Sequence, residues 1–114
     1  MNLDELIKNI RKVSKEETVQ KLADYLQEWK TDDRNAVELR DNVERFLDNT
    51  WIEKNTDFDK VYEMWSKFRN SAIDGIGGMT TNERFYWFGL FDSLESAQNN
   101  DVQERYFRKL MTKK

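Results

Sequence analysis

Two groups of residues in this 114-residue chain have types and spacing that could do chemistry. The first is Gly75 to Thr81, Gly-Ile-Gly-Gly-Met-Thr-Thr, placed just ahead of a helical pattern. Free backbone donors and the dipole at a helix amino end can hold a phosphate or a carboxylate. A nucleotide P-loop, however, needs a lysine before its hydroxyl residue and a strand ahead of the loop. Here Met79 takes the lysine's place and a helical pattern precedes. The dinucleotide fingerprint fails as well, on glycine spacing and on the lack of a βαβ setting. The second group is Glu38, Asp41, Glu44 and Asp48, three or four residues apart along one predicted helix. Such a row could bind a divalent cation if a second carboxylate pair faced it from a neighbouring helix, as in all-helical nucleotide pyrophosphatases. No E-x-x-E pair accompanies it, and Arg40 and Arg45 are interspersed as ion-pair partners. A solvated helix face is the commoner meaning of such acids.

Composition narrows the chemistry further. The chain has no histidine and no cysteine, which removes the commonest general base, the commonest metal ligand, disulfides and thiolate metal sites. The Glu-x-x-His motif of di-iron bundles goes with them. No residue is marked as a nucleophile beside a base, so no catalytic residue, metal or cofactor is expected, and binding is expected in place of catalysis. Net charge is −3, with 14 acids against 10 bases in residues 1–57 and 8 against 9 in residues 58–114. Nucleic acid is a poor partner for that balance. No apolar run approaches the roughly 20 residues of a membrane span, and the start MNLDELIKNIRK has the pattern of an amphipathic helix, not of a signal peptide. A cytoplasmic location is the expectation.

The elements that must position these residues are helical throughout, with no proline to interrupt them. Leu3, Leu6, Ile7 and Ile10 form one stripe and predict a helix over about 3–12. Ser14 and Glu17 have capping-box spacing and predict the start of a second helix, with Val19, Leu22, Ala23, Leu26 and Trp29 in register. Ala36, Leu39, Val43, Phe46 and Leu47 predict a third, running to about Asp48. A polar connector follows, whose Trp51 and Ile52 are expected to tuck against the bundle. Phe58, Val61, Tyr62, Trp65, Phe68 and Ala72 predict a fourth helix, from Thr56 or Asp57 to about Ile73. Gly75 then falls where a left-handed residue would end it, and Gly77 and Gly78 would turn the chain back. Thr80 and Glu83 form a second capping box, which opens a fifth helix near Thr81. Past it, Asn100 or Asp101 is a plausible cap for a last helix carrying Val102, Tyr106, Phe107, Leu110 and Met111.

The fifth segment is apolar nearly all round: residues 85–91 contain five aromatics. Such a helix is either central to its domain or presents a face to another protein, the central position being the commoner case. Gly89 in its middle costs about 1 kcal/mol against alanine, which a close helix crossing would explain. Tyr86 and Trp87 are the candidates for partner contact, since each joins a flat apolar body to a polar tip.

Within this segment Thr81, Asn82, Glu83, Arg84, Phe85, Gly89, Leu90 and Asp92 carry a resemblance. The stretch from Met79 to Ala97 resembles one found near one end of short bacterial proteins of no settled activity, which read Thr-Asn-Glu-Arg, an aromatic or leucine, then Gly-Leu and an acid. The resemblance covers the last third of the chain. It implies a bacterial protein of a largely uncharacterised group, some of whose members accompany toxin genes, and it carries over no catalytic residue.

Taken together, residues 1–114 are expected to form a single all-α domain, an irregular or orthogonal bundle of about six helices. Its expected function is that of a non-catalytic protein-binding module. The most concrete form is an immunity-type protein that neutralises a bacterial toxin by covering its active site. Asp32, Asp33, Asp41 and Glu44 would supply an acidic surface that steers a basic toxin domain, and Tyr86 and Trp87 an aromatic one. Charge reversal at the four acids is expected to leave the fold intact. The alternative is a small-ligand or metal-dependent nucleotide-handling protein built on the Gly75–Thr81 loop and the helix carboxylates. Oligomeric state is not legible in the sequence.

Overall fold

A computed structural model describes residues 1–50, 55–96 and 99–111. They form α1 (Leu3–Val13), α2 (Glu17–Trp29), α3 (Ala36–Asp48), α4 (Asn55–Phe68), a π-helical turn (Arg69–Ile73), a 3-10 turn (Ile76–Gly78), α5 (Thr81–Trp87), α6 (Phe91–Ser96) and α7 (Asn100–Leu110). Among the described residues the architecture is all-α, an irregular bundle around one core. Trp51 and Ile52 lie outside the described residues.

Helix starts are set by side-chain caps. At α1 the Glu5 N–H donates to Asn2 Oδ1 at 2.9 Å while Glu5 Oε1 accepts from the Asn2 N–H at 3.3 Å. Asn35 and Glu38 repeat that reciprocal pair at α3, and the predicted Thr80–Glu83 box forms at α5. Two cap expectations need correction. Ser14 does not cap α2; it closes α1 in an extended conformation, and its Oγ accepts from the Glu16 N–H at 3.0 Å across the short link. The Gln20 side-chain amide completes that link, donating to the carbonyls of Arg11 and Ser14. At α7 the cap is Asn99, one residue upstream of the predicted pair, with Oδ1 accepting from the Val102 N–H at 2.9 Å.

The apolar stripe of α1 is covered on two sides, by α2 and by α4. This makes α1 central, where the sequence pattern favours the fifth segment. That segment is not one helix. Gly89 adopts φ 66°, the only positive φ among the described residues, and divides it into α5 and α6, so the described residues form seven α-helices where about six are expected. The Gly89 N–H donates to the Tyr86 carbonyl at 3.2 Å and the Leu90 N–H to the Phe85 carbonyl at 3.0 Å, the paired bonds of a Schellman end. The glycine therefore terminates a helix and does not mark a mid-helix crossing. Phe85, Phe88 and Leu90 still enter the core, and Phe88 joins an aromatic run from Trp29 (5.4 Å between centroids) to Phe68 (5.5 Å) and on to Trp65 (5.9 Å).

Gly75 also differs from expectation, with φ −90°. Regular α4 stops at Phe68 and the π turn carries the chain on, its Asp74 N–H donating to the Arg69 carbonyl. Gly75 is needed there for room: a Cβ would lie 2.9 Å from the Ser71 carbonyl oxygen. Gly77 and Gly78 have open space around them and belong to the 3-10 turn that buries Ile76.

Candidate functional site

The acids of the α2–α3 turn begin with Asp32, which is committed to the fold. Lys109 of α7, 1% exposed, places Nζ 2.8 Å from Asp32 Oδ1, 2.7 Å from the Asp32 carbonyl and 2.6 Å from the Arg34 carbonyl. All three ammonium protons thus have acceptors, and the charge also lies 4.3 Å from the Trp29 ring centroid. Arg34 closes the other side of the carboxylate, with Nη2 at 2.7 Å and Nε at 2.8 Å from Oδ2. Burial alone would raise the Asp32 pKa; hydrogen bonds from Lys109 and from the Arg34 backbone and side chain outweigh it and hold the group below its ordinary value. For Lys109 burial prevails over the pairing with Asp32, and its pKa is lowered. Reversing the charge of Asp32 would thus place like charge against a buried ammonium, which corrects the expectation that the fold would tolerate it.

The other three acids are more accessible. Asp33 is 90% exposed, with Arg105 Nε at 3.4 Å. Asp41 lies 3.2 Å from Arg40 Nε, on the outer side of α3. Glu44 accepts from Arg69 Nη1, which the π turn brings over from α4. The four acids therefore each have a basic neighbour and do not form one free face. No three acids among the described residues converge to hold a metal ion, because the row on α3 is interrupted by these pairings.

The Gly75–Thr81 loop gives little to an anion. The Thr80 N–H already donates to Glu83 Oε1 at 3.3 Å and the Glu83 N–H to Thr80 Oγ1 at 3.2 Å. The capping box has taken two of the donors that a phosphate would need.

Tyr86 and Trp87 are brought together, in an edge-to-face pair 6.1 Å apart. Trp87 is half-buried against the core, whereas Tyr86 is 53% exposed. Beside Tyr86 opens a cleft of about 150 Å³ where the start of α1 meets the α5–α6 break, lined in part by Asp4, Gly89, Phe91 and Asp92. Asp4 Oδ1 accepts from Lys30 Nζ at 2.6 Å. Its Oδ2 lies where a Cβ on residue 89 would fall, 2.5 Å away. A second aromatic pair, half-buried Phe58 and exposed Tyr62, stacks on α4 with centroids 6.2 Å apart.

Sequence reasoning missed Lys109, Arg34 and Arg69 as structural cations, and Asp4 and Asp92 as neighbours of Tyr86. For Lys109 a signal existed: it falls on the apolar stripe of α7, between Tyr106 and Leu110. The pairing of Asp4 with the α5–α6 break had none, since it depends on tertiary packing over more than eighty residues. No protein-family model matches this chain, and neither a curated protein nor a solved structure matches it significantly.

Proposed function

We propose that this chain is a non-catalytic protein-binding module. The observation that carries the reading is the exposure of Tyr86 at the end of α5, its ring held edge-on by the half-buried Trp87. A rigid aromatic with a polar tip, fixed on a helix and open to water, is the kind of group that anchors protein interfaces. Three of the groups whose ionisation is shifted have structural occupations: Lys109 and Asp32 join α7 to the α2–α3 turn, and Arg69 joins the π turn to α3. The most concrete form is an immunity-type protein that covers the active site of a basic bacterial toxin, with outward-facing Asp33 and Asp41 steering the encounter.

The test is affinity capture with the wild-type chain, followed by measurement of the captured protein against Tyr86→Ala and Asp33→Lys. Tyr86→Ala is expected to weaken binding about tenfold or more through dissociation. Asp33→Lys is expected to slow association, more at low salt. A captured protein that binds all three chains alike would defeat the reading.

A further inference from the structure

We infer that the cleft between the α1 start and the α5–α6 break is a receptor for one guanidinium group, presented by an arginine side chain of a protein partner. At about 150 Å³ it is half the smallest usual small-molecule site, so it has room for the end of one side chain and not for a nucleotide. Its walls are of two kinds. Tyr86 and Phe91 offer aromatic surface, and Tyr86 is braced by Trp87, so little freedom remains to be lost on binding. Asp4 and Asp92 offer carboxylates. Asp4 is already shared with Lys30, whereas exposed Asp92 has no cation beside it among the described residues, so one negative charge is left over. Asp92 lies in the first turn of α6, where a carboxylate is favoured without any ligand, and Phe91 packs on Phe85 with ring centroids 6.0 Å apart; the exposed ring of Tyr86 is the part of the wall that the core does not occupy.

A flat cation matches these walls better than a compact ammonium. Guanidinium can lie against an aromatic face while its edge donates two parallel hydrogen bonds to one carboxylate, and it is less strongly hydrated than an ammonium. Gly89 keeps the floor open: any side chain there would meet Asp4 and fill the cleft.

The source of the guanidinium follows from the protein-binding reading, but recognition by the cleft can be tested apart from it. The 15N-labelled chain is titrated at low salt with N-acetyl-arginine-amide, and with the neutral N-acetyl-citrulline-amide as control. Saturable shifts are expected at the amides of Tyr86, Gly89 and Asp92 with the arginine compound alone. They should vanish in Asp92→Asn and weaken about threefold in Tyr86→Ala, in line with the loss of a partly exposed cation–π contact. An unchanged remainder of the spectrum verifies that each variant is folded. Shifts of equal size with citrulline, shifts scattered over all the acids, or an unaltered response in Asp92→Asn would overturn the inference. Failure here with a captured partner in hand removes this contact and leaves the module; success without a partner does the reverse.

Discussion

Lys109 and Asp32 are 77 residues apart in sequence and form one closed polar unit, with Nζ held by both the carboxylate and the main-chain oxygen of the same aspartate. The unit ties α7 to the α2–α3 turn, beside the contact of Phe107 with Phe85 and the packing of Tyr106 on the core. Only Lys109 and Leu110 of that helix are buried, and Leu110 has its carbonyl held by Arg84 Nη1 at 2.7 Å. A lysine this deeply buried persists because each N–H has an acceptor and the Trp29 ring faces the charge.

Lys109→Ala should therefore cost about 2–3 kcal/mol, since it takes the shared donor from Asp32 Oδ1 and from two main-chain carbonyls while Arg34 stays on Asp32 Oδ2. Asp32→Asn keeps an acceptor oxygen and both main-chain bonds but leaves the buried ammonium without its counter-charge, and should cost a comparable amount. Urea unfolding followed by tryptophan fluorescence measures both. A loss under about 1 kcal/mol for Lys109→Ala, the range of exposed pairs, would mean that α7 is held by its apolar contacts alone.

The pH dependence follows from the same unit. The folded-state pKa of Asp32 is below its ordinary value of 3.8, so the folded chain binds this proton more weakly than the unfolded one. Its stabilisation is fully present above the unfolded value and is lost as pH falls through the folded one. Lys109 has a lowered folded value too, against 10.5. The slope has the same sign, since between its folded value and 10.5 the unfolded chain again holds the extra proton and stability rises with pH; for a base, however, this means that burial penalises the charged folded form and the penalty is relieved as pH rises through that window. Wild-type stability is expected to fall between about pH 5 and pH 2, and Asp32→Asn to flatten part of that limb. Parallel acid limbs in the two proteins would contradict the pairing.

The apolar stripes made α1 to α4 legible, because a period of 3.6 with caps nearby is a local signal. Asn2 and Asn35 act in capping boxes as serine or threonine would, which a search for hydroxyl caps passes over. The break at Gly89 was legible as a costly glycine but not as a helix end, because five surrounding aromatics suit a continuous apolar helix equally well. The partners of the acids were the least legible. Asp32 reads in sequence as one more surface charge, and only the packing of α7 brings Lys109 to it.

Gly89→Ala should destabilise through two separable terms. The positive φ costs an L-residue about 1–2 kcal/mol, and the new Cβ would press on Asp4 Oδ2. Adding Asp4→Ala to Gly89→Ala should recover the second term only, while Gly89→Asn, tolerant of the left-handed region, should lose less of the first. Thermal unfolding of the wild type, Asp4→Ala, Gly89→Ala and the double variant gives the cycle, with Gly89→Asn measured beside them. A neutral Gly89→Ala would mean that α5 and α6 can join into one helix in solution.

The remaining glycines should behave in opposite ways, although all three lie within four residues. Gly75 has an unexceptional φ, so its substitution is a question of space: the Cβ of Gly75→Ala would approach the Ser71 carbonyl to 2.9 Å, and that oxygen belongs to the backbone of the π turn. Backbone cannot swing aside as a side chain can, and the expected cost is about 1–3 kcal/mol, typical of overpacking. Gly77 and Gly78 have nothing within reach of a Cβ and no positive φ. Alanine at either position restricts the unfolded chain without straining the folded one, for an expected gain of about 0.4–1 kcal/mol. Denaturant midpoints for the three single variants decide the matter, with Gly75→Ala shifted down and the other two shifted up. If Gly77→Ala or Gly78→Ala instead loses stability, the turn before α5 needs its glycines for a backbone conformation other than the 3-10 turn described here.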